Sequence, residues 1–142
     1  MITRSGAEVS GVTTNASEPM MKRSALVIDD SRAVRFVVSR ILRDLGYEVS
    51  EAVHGAEALA QIQAGADPTV ALVDWNMPTM NGLEFVQAVR SEVRYADMRL
   101  MMVTSETEQS FVTSALEAGA DEYLMKPFTR EILIEKLAVL GL

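Results

Sequence analysis

The chain has 142 residues, enough for one domain that buries roughly 70% of the surface its unfolded form exposes. At 49% hydrophobic and 23% charged residues it has a globular composition, and no apolar run reaches the ~20 residues of a bilayer crossing. A net charge of −7 and a pI near 4.7 argue against a coat for nucleic acid or an anionic membrane. The absence of cysteine excludes disulfides, thiolate metal centres and cysteine nucleophiles. A single histidine, His54, leaves little room for a histidine zinc site or a catalytic triad, and a reducing cytoplasm is the default compartment.

Residues 1–23 are rich in Ser, Thr and Gly, lack periodicity, and read as a flexible tail before a domain over residues 24–142. The domain opens with a continuous apolar strand, Ala25–Ile28, that ends on Asp29 and Asp30. Ser31 can cap a helix whose apolar residues Val34, Val37, Val38, Ile41, Leu42 and Leu45 recur at helical spacing until Gly46 stops it. Tyr47–Ala52 gives a second strand and Ala56–Ala64 a short helix closed by Gly65. Val70–Val73 is a third, apolar strand ending on Asp74. After a loop over Trp75–Asn81, Gly82 opens a helix with Val86, Val89 and Val93 on one face. Leu100–Val103 makes a fourth strand ending on Thr104, and Ser105 and Glu108 have capping-box spacing for a helix through Ala118, closed by Gly119. Tyr123–Met125 is the last strand, stopping at Lys126-Pro127, and a final helix from Thr129 carries Leu133, Leu137 and Leu140 on one stripe.

Strict alternation of strand and helix predicts an α/β fold, a doubly wound five-stranded parallel sheet. Ligands in such sheets bind beyond the carboxyl ends of the strands, where Asp29, Asp30, Asp74, Thr104 and Lys126 should converge. Each residue alone reads as cap or turn chemistry; their joint occurrence at one edge points to a site. Crowded carboxylates call for protonation or a divalent cation, and an oxygen-only donor set selects Mg²⁺ or a similar ion, which shares its ligands with phosphate. A lysine and a threonine suit the phosphoryl oxygens, and an aspartate can itself be the nucleophile. Asp74 is the best placed, alone at the end of the inferred central strand.

Asp29-Asp30, the run from Asp74 to Gly82, Thr104-Ser-Glu106 and the run from Tyr123 to Phe128 closely resemble the receiver domain of two-component response regulators. The similarity covers residues 24–142 and is greatest to the stand-alone, chemotaxis-type (CheY-like) receivers. It implies a flavodoxin-like (βα)5 sheet in the order 2-1-3-4-5. Asp74 would accept a phosphoryl group from a sensor histidine kinase or a histidine phosphotransfer protein. Asp30 would bind Mg²⁺, or Mn²⁺ in its place, directly; Asp29 would bind largely through water, and the main-chain carbonyl of Asn76 would be a further ligand. Thr104 and Lys126 would hold phosphoryl oxygens, Tyr123 would be the switch aromatic, and Lys126-Pro127 would be a cis bond. Asn76 and Glu106 fall where the family tunes hydrolysis of the acyl phosphate. The chain would catalyse its own phosphorylation and dephosphorylation without being a turnover enzyme. With the last helix running to Leu142, output is expected through protein contact at the fourth helix, fifth strand and fifth helix, without DNA binding or membrane insertion.

Within the family, a phosphorelay shuttle or a phosphate sink fits the same motifs. An aspartyl-nucleophile phosphatase expects a second acid where this chain has Asn76, and an FMN-binding flavodoxin-like module expects a hydroxyl- and glycine-rich loop where it has Asp29-Asp30-Ser31-Arg32. His54 reads as a surface residue. Arg32, Arg35 and Arg43 read as a solvated helix face, with kinase docking as the rival reading.

Overall fold

The computed structural model describes residues 23–105 and 109–142. Five strands, β1 (Ser24–Ile28), β2 (Glu48–Ala52), β3 (Val70–Asp74), β4 (Arg99–Thr104) and β5 (Glu122–Met125), alternate with five helices. These are α1 (Arg32–Asp44), α2 (Gly55–Gln63), α3 (Gly82–Arg90), α4 (Gln109–Ala118) and α5 (Arg130–Val139). The strands form one parallel sheet in the order β2-β1-β3-β4-β5, as the resemblance implies. No helix among the described residues is long and apolar enough to cross a membrane.

Parallel strands covered on both faces bury every residue, and β3 does so completely. One face of the sheet, with Leu26, Ile28, Val73, Leu100 and Met102, packs against Ala58 and Ile62 of α2, Phe85 and Val89 of α3 and Ala115 of α4. The other, with Val27, Leu72, Met101 and Leu124, packs against Val38 and Leu42 of α1 and Leu133 and Leu137 of α5.

Three of the helix starts have a Ser, Thr or Asn side-chain cap as their local cause. Ser31 accepts the N–H of Val34, Thr129 that of Ile132, and Asn81 forms a reciprocal capping box with Glu84. The expected box from Ser105 to Glu108 depends on Glu108, which lies outside the described residues. Three expectations fail on the apolar stripes; Leu45, expected on the α1 stripe, is its C-cap and is 36% exposed. Val93 is not on α3, which ends at Arg90; it sits in a 3₁₀ turn (Val93–Tyr95) and is 89% exposed. Val37 has the helical spacing of a core residue but is 53% exposed, because α1 meets the sheet along Val38 and Leu42 while Val37 looks into a groove.

Candidate functional site

β1 delivers Asp29 and Asp30 to the carboxyl edge of the sheet. Asp29 is 3% exposed and all its polar atoms are engaged. Its N–H donates to the Ala52 carbonyl at 3.1 Å, and its carbonyl accepts from Arg35 Nη1 at 2.7 Å. Its Oδ1 accepts from the Ser31 N–H at 2.8 Å and its Oδ2 from Lys126 Nζ at 3.1 Å. Asp30, the next residue, is exposed.

β3 brings Asp74, 6% exposed, beside this pair. The close fit of α3 against the end of β3 explains Gly82: a Cβ there would lie 2.6 Å from the Asp74 carbonyl oxygen and 2.6 Å from Met102 Cε. Burial raises the Asp74 carboxyl above the usual aspartate range and the charge of Asp29 raises it further, while Lys126 and the Asn76 main-chain N–H pull the other way. Asp29, Asp30 and Asp74 each offer an oxygen within 4.8 Å of the others. This crowded, all-carboxylate set fits a hard divalent cation such as Mg²⁺, which relieves the repulsion that otherwise favours a proton on Asp74.

The other edge of the cluster comes from β4 and β5. Thr104 is buried at the end of β4, and its carbonyl accepts the Lys126 N–H at 2.8 Å, so strand pairing itself sets the root of the lysine. Lys126 Nζ lies 3.1 Å from Asp29 Oδ2 and 3.4 Å from Asp74 Oδ1. Burial works against its ammonium, but Asp29 and Asp74 outweigh it and the net shift is upward. The Lys126-Pro127 bond is cis. Tyr123 of β5 is half-buried under the Lys136 ammonium, 4.2 Å from the ring centroid, and Lys136 also pairs with Glu122 at 3.1 Å. Trp75, next to Asp74, makes an edge contact with Phe111 of α4 at 5.2 Å between ring centroids.

The structure therefore brings together Asp29, Asp30, Asp74 and Lys126 from three strand ends, with Thr104 at a fourth. Asn76 reaches Asp74 through its main chain while the residue itself is exposed. Glu106 lies outside the described residues. Arg35 departs from the solvated face expected of it. Its side chain is 14% exposed, and Nε donates to Glu51 Oε1 at 3.2 Å while Nη1 holds the Asp29 carbonyl. Arg32 and Arg43 are exposed as expected. His54 is only half-exposed and caps α2, its Nδ1 accepting the Glu57 N–H at 3.1 Å. The spacing of His54 and Glu57 before an apolar run could have revealed that cap, with Glu57 closing back on the Val53 N–H at 2.7 Å. Between α1 and the segment after β5 runs an apolar groove of about 510 Å³, lined by Val34, Val37, Val38, Pro127 and Phe128, with Lys126 also on its wall.

A parallel 2-1-3-4-5 sheet with an acidic cluster and one lysine at its carboxyl edge defines a receiver. The model of the response regulator receiver domain matches residues 25–138, and the chain belongs to that family. Among relatives, it is 47% identical over 115 residues to the chemotaxis protein CheY1 of Helicobacter pylori, covering 80% of this chain and 93% of that protein. It is 48% identical over 118 residues to the chemotaxis protein CheY homolog of Campylobacter jejuni, covering 82% and 91%. The solved structure of Vibrio cholerae CheY4 superposes with a TM-score of 0.79 at 40% identity, over 84% of this chain and 99% of that one. The chain is thus a CheY-like receiver, a response regulator module of two-component signalling.

Proposed function

We propose that Asp74 is the phosphoacceptor of this receiver and that residues 24–142 form its receiver domain. A carboxylate oxygen of Asp74 attacks the phosphorus of a phosphohistidine; the P–N bond breaks, an acyl phosphate forms, and the imidazole leaves after regaining its proton. Asp29, Asp30 and Asp74, with the Asn76 carbonyl, would hold Mg²⁺, which supplies neutralisation of the phosphoryl charge when bound. Lys126 exchanges its carboxylate contacts for a phosphoryl oxygen, and the Thr104 hydroxyl donates to another. Either interaction biases the switch only as far as it is stronger in one conformation than the other. Tyr123 follows Thr104 across the paired strands β4 and β5 and changes the face formed by α4, β5 and α5. Asn76 and Glu106 set the lifetime of the acyl phosphate, and no free substrate is turned over.

The observation that carries this reading is the Lys126 ammonium standing between two buried carboxylates, 3.1 Å from Asp29 and 3.4 Å from Asp74. The apolar groove beside Lys126, with exposed Phe36 and Val37 on α1, suits the helix of a histidine-bearing donor. The names of the relatives support a chemotaxis pathway. Output would pass to a protein target at the α4-β5-α5 face, without DNA contact. Incubation with acetyl phosphate and Mg²⁺, followed by intact mass measurement, should add one phosphoryl group to the wild type and none to Asp74→Asn. Persistent labelling of that variant would show that another residue is the acceptor.

A further inference from the structure

We infer that Arg35 is a positioning residue for the metal: held by Glu51, its guanidinium fixes the Asp29 carbonyl and with it the Asp29–Asp30 turn that presents both carboxylates. The inference rests on the reading of the acidic cluster as a Mg²⁺ site. It starts from a main-chain deficit at the end of β1. Ile28 pairs with Ala52, and the Asp29 N–H still donates to the Ala52 carbonyl. In a parallel ladder the Asp29 carbonyl would then accept from the N–H two residues beyond Ala52, that of His54. The chain has left the sheet by there, because His54 is the N-cap of α2. Arg35 takes the vacated place, at 2.7 Å.

The fork is held at both ends. Arg35 lies one helical turn after Ser31, with its N–H on the Ser31 carbonyl at 3.0 Å. Its Nε donates to Glu51 of β2, which also meets Arg43 at 3.8 Å. A planar guanidinium can satisfy a carboxylate and a carbonyl at fixed separation, whereas a lysine ammonium can satisfy either with far less constraint. The peptide so fixed is the one joining Asp29 to Asp30. Three other partners hold the Asp29 N–H and both its carboxylate oxygens, so its carbonyl, held by Arg35, is the remaining handle on the direction in which exposed Asp30 leaves the strand.

Charge and position make opposite predictions. A cation bonded to the main chain of one member of the acidic cluster competes with Mg²⁺, so removing Arg35 would tighten metal binding if charge were its only effect. If it positions the turn, removal weakens binding despite the lost repulsion. Calorimetric Mg²⁺ titration of the full chain, with Trp75 emission as a second readout, decides between them. Arg35→Gln should bind Mg²⁺ about tenfold or more weakly, the range typical of outer partners of metal ligands. Arg35→Lys should recover part of the loss, and metal-free urea denaturation should report a folded protein. Affinity in Arg35→Gln equal to or above the wild type overturns the inference. Should that variant fail to fold, Glu51→Gln, altered at an exposed carboxylate, takes its place: a smaller loss of affinity supports the inference and none overturns it. A wild type that binds no Mg²⁺ refutes the metal reading itself, which is a different result from a wild type and variants that bind alike.

Discussion

Asp74→Asn should make the metal-free protein more stable at neutral pH. Repulsion between Asp29 and Asp74 across no more than 4.8 Å comes to roughly 3.5 kcal/mol at an effective dielectric of about 20. Exposed Asp30 adds about 1 kcal/mol after solvent screening. Lys126, at 3.4 Å from Asp74, returns roughly 5 kcal/mol on the same scale. These contributions cancel to within about 1 kcal/mol, so burial of the carboxylate decides the sign, in keeping with the raised pKa of Asp74 and burial as its main cause. The expected gain is about 1–2 kcal/mol, or roughly 4–8 °C in Tm for a domain of this size. Folded Asp74 binds its proton more tightly than the unfolded side chain, whose pKa is near 3.8. Its stabilising contribution is therefore complete below that pH and is lost as pH rises through the higher folded pKa. The gap between variant and wild type should be full at pH 7.5, close as pH falls toward 3.8, and shrink when Mg²⁺ binds the wild type. Thermal and urea denaturation in chelator across this range checks it. A variant no more stable than the wild type at pH 7.5, or a gap that widens on acidification, would refute the reasoning.

Lys126→Met removes a cation 3.1 and 3.4 Å from two carboxylates, so calorimetry should find Mg²⁺ bound about tenfold more tightly, a change of ~1.4 kcal/mol. The same variant should take up phosphate from acetyl phosphate more slowly, because the ammonium no longer meets the phosphoryl group. Gly82→Ala forces a methyl to within 2.6 Å of the Asp74 carbonyl oxygen and of Met102 Cε; denaturation should show a loss of about 1–3 kcal/mol. Ser39 is fully buried in α1 with a hydroxyl that has no partner among the described residues. Ser39→Ala should therefore raise stability by about 1 kcal/mol in urea unfolding.

The strand-end residues were legible because a parallel sheet imposes a direction: β1, β3, β4 and β5 each contain a short apolar run, and the polar residue that follows the run falls at the same edge. Asp29, Asp74, Thr104 and Lys126 could be placed without any knowledge of contacts. What escaped the sequence is what depends on neighbours from other elements. The period that put Val37 and Val93 on apolar stripes is correct for a helix, but it says neither where α1 leans away from the sheet nor that α3 stops at Arg90. Charge spacing likewise treated Arg32, Arg35 and Arg43 as equivalent.

The difference among those three arginines is set by the main chain and not by their own surroundings in sequence. Arg35 is drawn in because β2 turns into α2 early, leaving the Asp29 carbonyl without the donor that a longer strand would supply. The same early turn makes His54 the cap of α2. A strand extended by two residues would satisfy Asp29 through the backbone and release Arg35 to solvent. The price would be a rigid ladder running past the point where Asp30 must turn away. By ending β2 at Ala52 and substituting a side-chain donor, the fold keeps Asp29 buried and bonded while its neighbour faces the cluster. The reach of one guanidinium, anchored on Glu51, thus sets how closely the acidic pair can be aimed at Asp74.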